Sequence, residues 1–287
     1  LPNGLSQNSS TGAITGTLNT SDGAANTYNF TVSATDPASN QVTRAYSITV
    51  SAAPSGGTVT NATIGGQSFR IHTFTSDGQF VTSNALSQVD ALVVAGGGSA
   101  GARHAGGGGA GGVLHITGAT INAGTYAADL GNGGGRSPDT QPGTSGQNTT
   151  FVGETANGGG RTNAYTGTCY TQNGGSGGGQ SGRHCNQTGS ATQGNPSQYS
   201  GTGYGNAGGT TNSTSRHFGG GGGGAGGAGQ NASSNSMNDS QGGSGVQINI
   251  DGNSRYWGGG GGGNGYSNGQ GGQAGNGGAG GGGGGGK

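Results

Sequence analysis

The chain has 287 residues, of which 78 are glycine, 26% are hydrophobic and only 6% are charged, so it cannot fill a conventional hydrophobic core. Nine basic and nine acidic residues cancel and form no cluster of like charge, which predicts no nucleic-acid partner, because phosphate binding needs concentrated cations. No segment approaches the roughly 20 apolar residues of a membrane span, and we expect no membrane insertion.

Residues 1–53 alternate in the manner of β-strands. Two short strands flank a turn at residues 10–12, and two longer segments, residues 28–34 and 45–50, each place apolar side chains on one face. Residues 36–40, which separate the longer segments, are typical of a turn. The pattern predicts one half of a β-sandwich.

Three patterns in this segment carry a family resemblance. They are Leu-Pro-x-Gly-Leu-Ser from Leu1, Ser-Ser-Thr-Gly-x-Ile-x-Gly-Thr from Ser9, and Tyr-x-Phe-Thr-Val-x-Ala-Thr-Asp from Tyr28. Together they resemble the immunoglobulin-like (Ig-like) repeats of bacterial surface proteins and phage structural proteins. The resemblance implies a spacer or stalk without catalysis, and the first strand or two of such a domain are expected before Leu1.

Residues 54–95 are predicted to form a linker and a small β unit. The Pro and Gly residues at 54–57 are typical of a linker. Residues 68–74 and 78–82 alternate around a Ser-Asp-Gly turn, which predicts a β-hairpin. The apolar run at residues 89–95 predicts a buried strand that leads directly into the first glycine run.

The third segment, residues 96–287, is defined by its glycine content. Only nine of the 78 glycines precede Gly96, which leaves 69 in the last 192 residues. Glycine at this density is typical of a flexible linker, because glycine loses more backbone entropy on folding than any other residue. Here the glycine runs alternate with segments that carry Tyr, Phe, Trp, Arg, His and Cys, which favours an ordered domain.

A second resemblance begins in the small β unit. Residues 72–80, residues 89–98 and the Gly-Gly-Gly-Gly-Ala-Gly-Gly-Val sequence at residues 106–113 resemble the glycine-rich domain that recurs in phage tail proteins and some bacterial surface proteins. The resemblance extends from about Gly57 to Lys287. It implies an extracellular role in adhesion or structure.

Close packing explains why such a domain needs glycine. A left-handed helix with three residues per turn has no internal hydrogen bonds, but several side by side can bond to one another, and positions facing a neighbour leave no room for a Cβ atom. The glycine runs predict a bundle of some eight or more polyglycine II helices joined by loops, similar in logic to phage tail-tip adhesins of the T-even type. The apolar residues 113–116 and 245–250 predict short strands in the core or at the bundle edge.

The predicted fold class is therefore mainly β plus polyglycine II. It comprises a partial Ig-like β-sandwich at residues 1–53, a linker with a β-hairpin and strand at residues 54–95, and a polyglycine II domain with irregular loops at residues 96–287.

Cys169 and Cys185, with 15 residues between them, are the only cysteines. A disulfide closing this loop would contribute about 3 kcal/mol through lost chain entropy in the unfolded state, and we favour that pairing. Two free thiols are the alternative. A metal site made of Cys169, His184 and Cys185 is disfavoured, because adjacent His and Cys lack the spacing of a tetrahedral zinc site. We predict no metal and no cofactor.

The loops between glycine runs are rich in Tyr, Asn, Ser, Thr and Gln. Exposed rings and amides suit recognition of carbohydrate or protein surfaces, since a flat ring covers a sugar face while amides pair with hydroxyls. The alternative for each aromatic residue is that it caps the end of a glycine helix or a sheet. The receptor-binding candidates are Tyr165, Tyr170, Tyr199, Tyr204, Arg216, His217, Phe218, Tyr256, Trp257 and Tyr266.

Catalysis finds little support in the sequence, and we expect no enzyme activity. The five histidines lack the spacing of a nucleophile elbow, and the nine acidic residues show no paired arrangement. Glycine runs that match nucleotide-binding patterns lack the strand-to-helix context and the partner acid. Residues 251–253 have calcium-binding residue types, yet the remaining ligands of a calcium loop are missing.

Three functions fit the sequence to different degrees. The leading hypothesis is a phage tail fibre or adhesin whose glycine-rich domain presents loops to a host receptor, either a glycan or an outer-membrane protein. Its other partners would be fibre subunits, with a homotrimer among the expected assemblies, and its location is extracellular, on the virion. The second hypothesis is a subunit of a bacterial or archaeal surface filament on the cell surface. Ice binding fits least well, because a flat ice face needs neither a sandwich spacer nor irregular loops.

Overall fold

The computed structural model describes residues 1–18, 26–138, 140–164, 169–170, 172–182, 185–211, 218–232, 240–267 and 270–283. In these ranges the protein is mainly β, as predicted, and contains no helix. It follows that the described part of the chain has no helix long and apolar enough to cross a membrane.

The N-terminal segment forms two antiparallel ladders at the predicted positions. Strand β1 (Leu5–Gln7) pairs with β2 (Ile14–Gly16), and β3 (Asn26–Thr35) pairs over its full length with β4 (Gln41–Val50). Asp36 holds the turn between β3 and β4, because its carboxylate accepts hydrogen bonds from the backbone N–H of Ala38 and from the backbone and side chain of Asn40. The side-chain bond from Asn40 is the largest cause of a lowered pKa at Asp36.

The expected half-sandwich is present only as a ladder with an apolar face. Tyr28 lies opposite Ile48, and Phe30 stacks on Tyr46 with ring centroids 5.9 Å apart. Among the described residues of this segment only Pro2 is buried, and Tyr46 is 45% exposed. The Ig-like sandwich is thus only weakly indicated, because no second sheet covers this face within the described residues.

The predicted hairpin of the second segment was wrong. Strand β5 (Thr58–Ile64) pairs with β6 (Gln67–Thr73), while β7 (Gly78–Thr82) pairs with the distant β10 (Gly124–Asp129). The turn between β5 and β6 is Gly65-Gly66, with φ of 59° and 83°, which is the two-residue hairpin chemistry that only glycine adopts without strain. This tight turn pairs β6 with β5 and leaves β7 free to join another sheet.

Two sheets form the β core around the predicted buried strand. A three-stranded sheet has the order β13 (Gly201–Tyr204), β9 (Val113–Ile121), β8 (Leu86–Val94), and a four-stranded sheet has the order β12 (Glu154–Ala156), β11 (Thr149–Phe151), β10, β7. Strands from both sides of residue 96 therefore pair with each other. The three-stranded and four-stranded sheets thus join the second and third predicted segments.

The remaining strands form two short hairpins. They are β14 (Val246–Ile248) with β15 (Arg255–Trp257), and β16 (Asn264–Ser267) with β17 (Gln270–Ala274). The predicted strands at residues 113–116 and 245–250 are confirmed as parts of β9 and β14, and Leu114 and Ile116 are each only 1% exposed.

The hydrophobic core lies on both faces of the three-stranded sheet. On one face, Leu114 and Ile116 pack with Val152 and Phe151 of the β11 region. On the other face, Val113 packs with Ala225 and Ile248. The sheet thus anchors the four-stranded sheet on one side and the glycine-rich segments on the other.

Candidate functional site

Most of the glycine-rich region consists of extended segments that form neither helix nor β-ladder, and we call these segments rods. The rod at residues 105–112 shows their pattern, because amides three residues apart bond to the same neighbouring rod. Gly107 N donates to Gly220 O and Ala110 N donates to Gly223 O, both in one neighbouring rod. Gly109 N donates to Gly160 O and Gly112 N donates to Asn157 O, both in another. A three-residue period is thus present in the hydrogen bonds themselves.

The same rod explains why the inner positions are glycine. A Cβ atom added at Gly106 would meet Gly179 O, and one added three residues later at Gly109 would meet Ser176 O of the same neighbour. Both contacts would be closer than 3.0 Å, a separation that real Cβ atoms essentially never show. Each turn of the rod therefore brings glycine back against the same neighbouring backbone.

The rods alternate in direction and so define two ends of the bundle. Hydrogen bonds from Ala95 N to Gly112 O and from Gly98 N to Gly109 O make residues 95–101 antiparallel to residues 105–112. Ala95 follows β8 and Gly112 precedes β9, so this end is the sheet end.

The opposite end collects most of the connections between rods, and we call it the loop end; a short turn at residues 224–227 joins two rods at the sheet end. Rods that run away from the sheet end stop at the loop end, and the next rods, which run back toward the sheet end, start there, as the cross-rod hydrogen bonds show. The pairs at this end are Gly182 N to His104 O, Ala102 N to Gln141 O, Gly219 N to Asn264 O, Ala232 N to Thr210 O and Gly263 N to Ser240 O.

Buried polar side chains fix the backbone near the loop end. Thr162 Oγ1 donates to Gly106 O and accepts from Gly101 N, and Ser181 Oγ donates to Asn163 O. Thr162, Asn163 and Ser181 are at most 2% exposed. Each replaces glycine where a short side chain can bond to a neighbouring rod instead of colliding with it.

One exposed aromatic group at the loop end is held rigidly by these interactions. Tyr170 donates its backbone N–H to Asn163 Oδ1 at 2.9 Å and accepts from Asn163 Nδ2 at 3.1 Å. Tyr170 is 38% exposed as a residue, and the Arg161 guanidinium carbon lies 4.3 Å from the centroid of its ring, a cation–π geometry. The next residue toward the N-terminus, Cys169, forms a disulfide with Cys185, which is the pairing that the sequence favours.

The predicted receptor-binding residues divide between the two ends of the bundle. Tyr170 and Phe218 lie at the loop end, and Tyr266 belongs to β16, which starts there. Tyr165, Arg216 and His217 lie outside the described residues, although the rods that flank them end at the loop end.

The other four candidates lie at the sheet end, where three of them serve packing. Tyr199 packs against the Ile116 cluster, and Tyr204 and Trp257 pack against the Val113 cluster. Trp257 Nε1 donates to Ile248 O at 3.1 Å. Tyr256 is 50% exposed but belongs to β15. For Tyr199, Tyr204 and Trp257 the alternative interpretation, that the aromatic residue covers a sheet, describes the structure.

Sequence reasoning missed Arg161 and Asn163. Their only signal was position, since Arg161 directly follows a Gly-Gly-Gly run and Asn163 lies two residues further on, just before a Tyr-containing loop. At residues 251–253, the Asp251 carboxylate pairs with Arg255 at 3.2 Å and accepts from Asn253 N. No group of acidic, His or Cys side chains among the described residues could hold a metal ion.

Comparison with known families gives two matches. The family described as "Putative Ig domain" matches residues 1–51, and the family described as "Glycine-rich domain" matches residues 74–287. No curated protein and no solved structure matches the chain significantly. The two matches, in the order that the sequence resemblances predict, are consistent with a structural or adhesin-like protein. Because the second match covers well over half of the sequence, the chain belongs to the glycine-rich domain family.

Proposed function

We propose that this chain is the adhesive part of an extracellular fibre, of the kind carried by phage tails. In this proposal the glycine-rich region is a polyglycine II bundle, and its loop end binds a host receptor that is a glycan or an outer-membrane protein. The protein performs no catalysis, and its other partners are neighbouring fibre subunits.

The observation that carries the proposal is the segregation of the two ends. The rods join the β core at one end, where residues 57–94 also enter and a short turn at residues 224–227 joins two rods, and most of the connections between rods start and finish at the other. The sequence of those connections holds Tyr165, Arg216 and His217 within polar stretches. A rigid scaffold that displays polar and aromatic loops away from its attachment point is the usual arrangement of a binding protein.

The three-residue period of the hydrogen bonds supports the polyglycine II assignment. That helix repeats every three residues and rises about 3.1 Å per residue, so the rod at residues 105–112 would extend about 25 Å. A bundle of this kind is stabilised by bonds between backbones. It therefore tolerates the exchange of loop sequences that a receptor-binding end requires.

Tyr170 and Arg161 are the described groups best suited to receptor contact. The double hydrogen bond from buried Asn163 fixes the Tyr170 backbone, so little conformational entropy is lost when its ring is covered. The ring offers a flat face for a sugar, and the guanidinium adds donors for hydroxyl, carboxylate or phosphate groups.

The test is cell binding by the purified, fluorescently labelled chain, measured by flow cytometry on a panel of bacterial strains. We expect binding to a subset of strains, and we expect the double variant Arg161→Ala, Tyr170→Ala to lose roughly tenfold or more in affinity. Tyr256→Ala, an exposed tyrosine at the sheet end, is the matched control and should bind as the parent does. Absence of binding to every strain, or equal loss in the control, would contradict the proposal.

A further inference from the structure

A shallow cleft lies at the sheet end, remote from the loop end. Its volume is about 350 Å³, and it is lined by His115, Tyr204, Gln247, Ile248 and Asn249. His115 and Tyr204 come from paired strands β9 and β13, and the other three come from β14 and the residue after it. The cleft therefore forms where the β14–β15 hairpin packs on the three-stranded sheet.

Packing of the hairpin makes the floor of the cleft rigid. Ile248 is 7% exposed and packs with Val113 and Ala225 below it. Tyr204 packs against the same cluster, so its ring orientation is fixed by its neighbours. This part of the cleft is thus preformed, and most of its exposed lining is polar.

Polar side chains on the rim remain free to bind a ligand. The imidazole of His115, the hydroxyl of Tyr204 and the side-chain amide of Asn249 make no hydrogen bond to any other described residue. Gln247, which is also exposed, contacts Ser254 through its amide nitrogen. The rim therefore offers hydroxyl, imidazole and carboxamide groups, which both donate and accept hydrogen bonds.

The cleft has no charge that would select an ion. None of the five lining residues is Asp, Glu, Lys or Arg. The nearest charges in sequence, Asp251 and Arg255, pair with each other at 3.2 Å. An aromatic ring bordered by polar donors and acceptors is complementary to a sugar, which combines an apolar ring face with many hydroxyl groups.

We propose that this cleft is a binding site for a neutral saccharide, independent of the loop end. Its volume is at the lower limit of ligand pockets, which matches one or two sugar units and an affinity of about 1 mM. The ring of Tyr204 covers the sugar face, and His115 and Asn249 bond to its hydroxyl groups. A chain with this site would hold saccharide at the sheet end whether or not its loops engage a receptor.

Trp257 supplies the assay, because it is the one tryptophan of the chain and its indole N–H bonds to the carbonyl of Ile248 in the cleft floor. Methyl glycosides of glucose, galactose, mannose and N-acetylglucosamine would be titrated into the intact chain while tryptophan fluorescence is recorded. We expect a saturable change with at least one of them. Absence of saturation with all four would overturn the proposal.

Variants then locate the site. His115→Ala and Asn249→Ala should each weaken binding roughly tenfold, and Tyr204→Phe should weaken it less while keeping the packing. Tyr170→Ala, at the loop end, should bind the glycoside as the parent does, which separates this site from the proposed receptor site. Unchanged binding in both alanine variants, or a loss equal to theirs in Tyr170→Ala, would refute the assignment. Matching thermal unfolding curves establish that each variant is folded.

Discussion

The glycine at position 222 should be among the least replaceable residues of the protein. It is buried, its N–H donates to Gly261 O, and its carbonyl accepts from Gly243 N, both at 2.8 Å. A Cβ atom added there would lie 2.5 Å from the Gly108 carbonyl carbon and 2.7 Å from Gly107 O. Gly108 O lies closer still, so Gly222→Ala must push two rods apart by roughly 1.4 Å to reach ordinary van der Waals contact.

The cost follows from those contacts. Overpacking costs about 1–3 kcal/mol, and stretching the two hydrogen bonds leaves buried peptide groups unpaired at about 1–3 kcal/mol each, so we expect a loss of about 3–9 kcal/mol. Urea unfolding followed by circular dichroism measures this loss as a shift of the midpoint. A variant that fails to fold at all also agrees with the prediction, since this loss is comparable to the whole stability of many domains.

Gly135→Ala is the matched control. Gly135 lies in an outer rod, has open space around its Cβ direction and does not adopt a left-handed φ, so alanine should be neutral or stabilise by up to about 1 kcal/mol. Equal stability of Gly222→Ala and the parent protein would refute the reasoning. So would a loss in Gly135→Ala as large as that in Gly222→Ala.

Three further predictions concern side chains. Removing the disulfide with Cys169→Ser and Cys185→Ser should cost about 3 kcal/mol in urea unfolding, and equal stability with and without reductant in the parent would contradict this. Glu154 is 3% exposed, and its carboxylate accepts hydrogen bonds from the backbone N–H groups of Ser197 and Gln198. Glu154→Ala leaves these buried donors unpaired and should lower the free energy of unfolding by about 2–5 kcal/mol. An unchanged urea midpoint would contradict this. The carboxyl of Asp36 should titrate below its ordinary pKa of 3.8 in an NMR experiment, and Asn40→Ala should raise that pKa. Because the folded pKa is lowered, the stabilisation of this turn is present above the ordinary pKa and is lost as pH falls through the lowered one. A pKa at or above 3.8 in the folded protein would contradict that sign.

Strand positions were predictable because alternation is a local signal, whereas strand partners were not. Residues 28–34 and 45–50 alternate, and they form β3 and β4 as expected. The sequence around residues 76–78 also has hairpin chemistry, yet the Asp77 carboxylate accepts from Leu130 N and so ties this turn to the end of β10. Such a pairing, between β7 and β10, depends on contacts more than forty residues apart in sequence.

The need for glycine could be argued from the sequence, but the arrangement of the rods could not. Runs of glycine imply close backbone approach wherever they occur. The segregation of the loop end from the sheet end follows from cross-rod pairs such as Gly107 with Gly220 and Gly109 with Gly160, which no local pattern encodes. For that reason Tyr170 and Tyr256 were equivalent candidates in the sequence and lie at opposite ends in the structure.

Scarcity of apolar residues explains why three of the aromatic candidates pack against the β core. Only 26% of the chain is hydrophobic, and the β core includes Tyr199, Tyr204 and Trp257. Because these residues lie in polar sequence segments, the sequence pattern does not indicate that they pack in the core. Tyrosine and tryptophan suit such positions because each buries a large ring while its polar atom reaches a partner or solvent.

Native-state hydrogen exchange of the amides in the glycine-rich region distinguishes an ordered scaffold from a flexible tract. Amides of the inner rods, such as Gly107, Gly222 and Gly260, bond to carbonyls of neighbouring rods. We expect these amides to exchange at least about 1,000-fold more slowly than in an unfolded chain and to lose protection together in denaturant. Exchange of these amides at the rate of an unfolded chain would contradict this expectation.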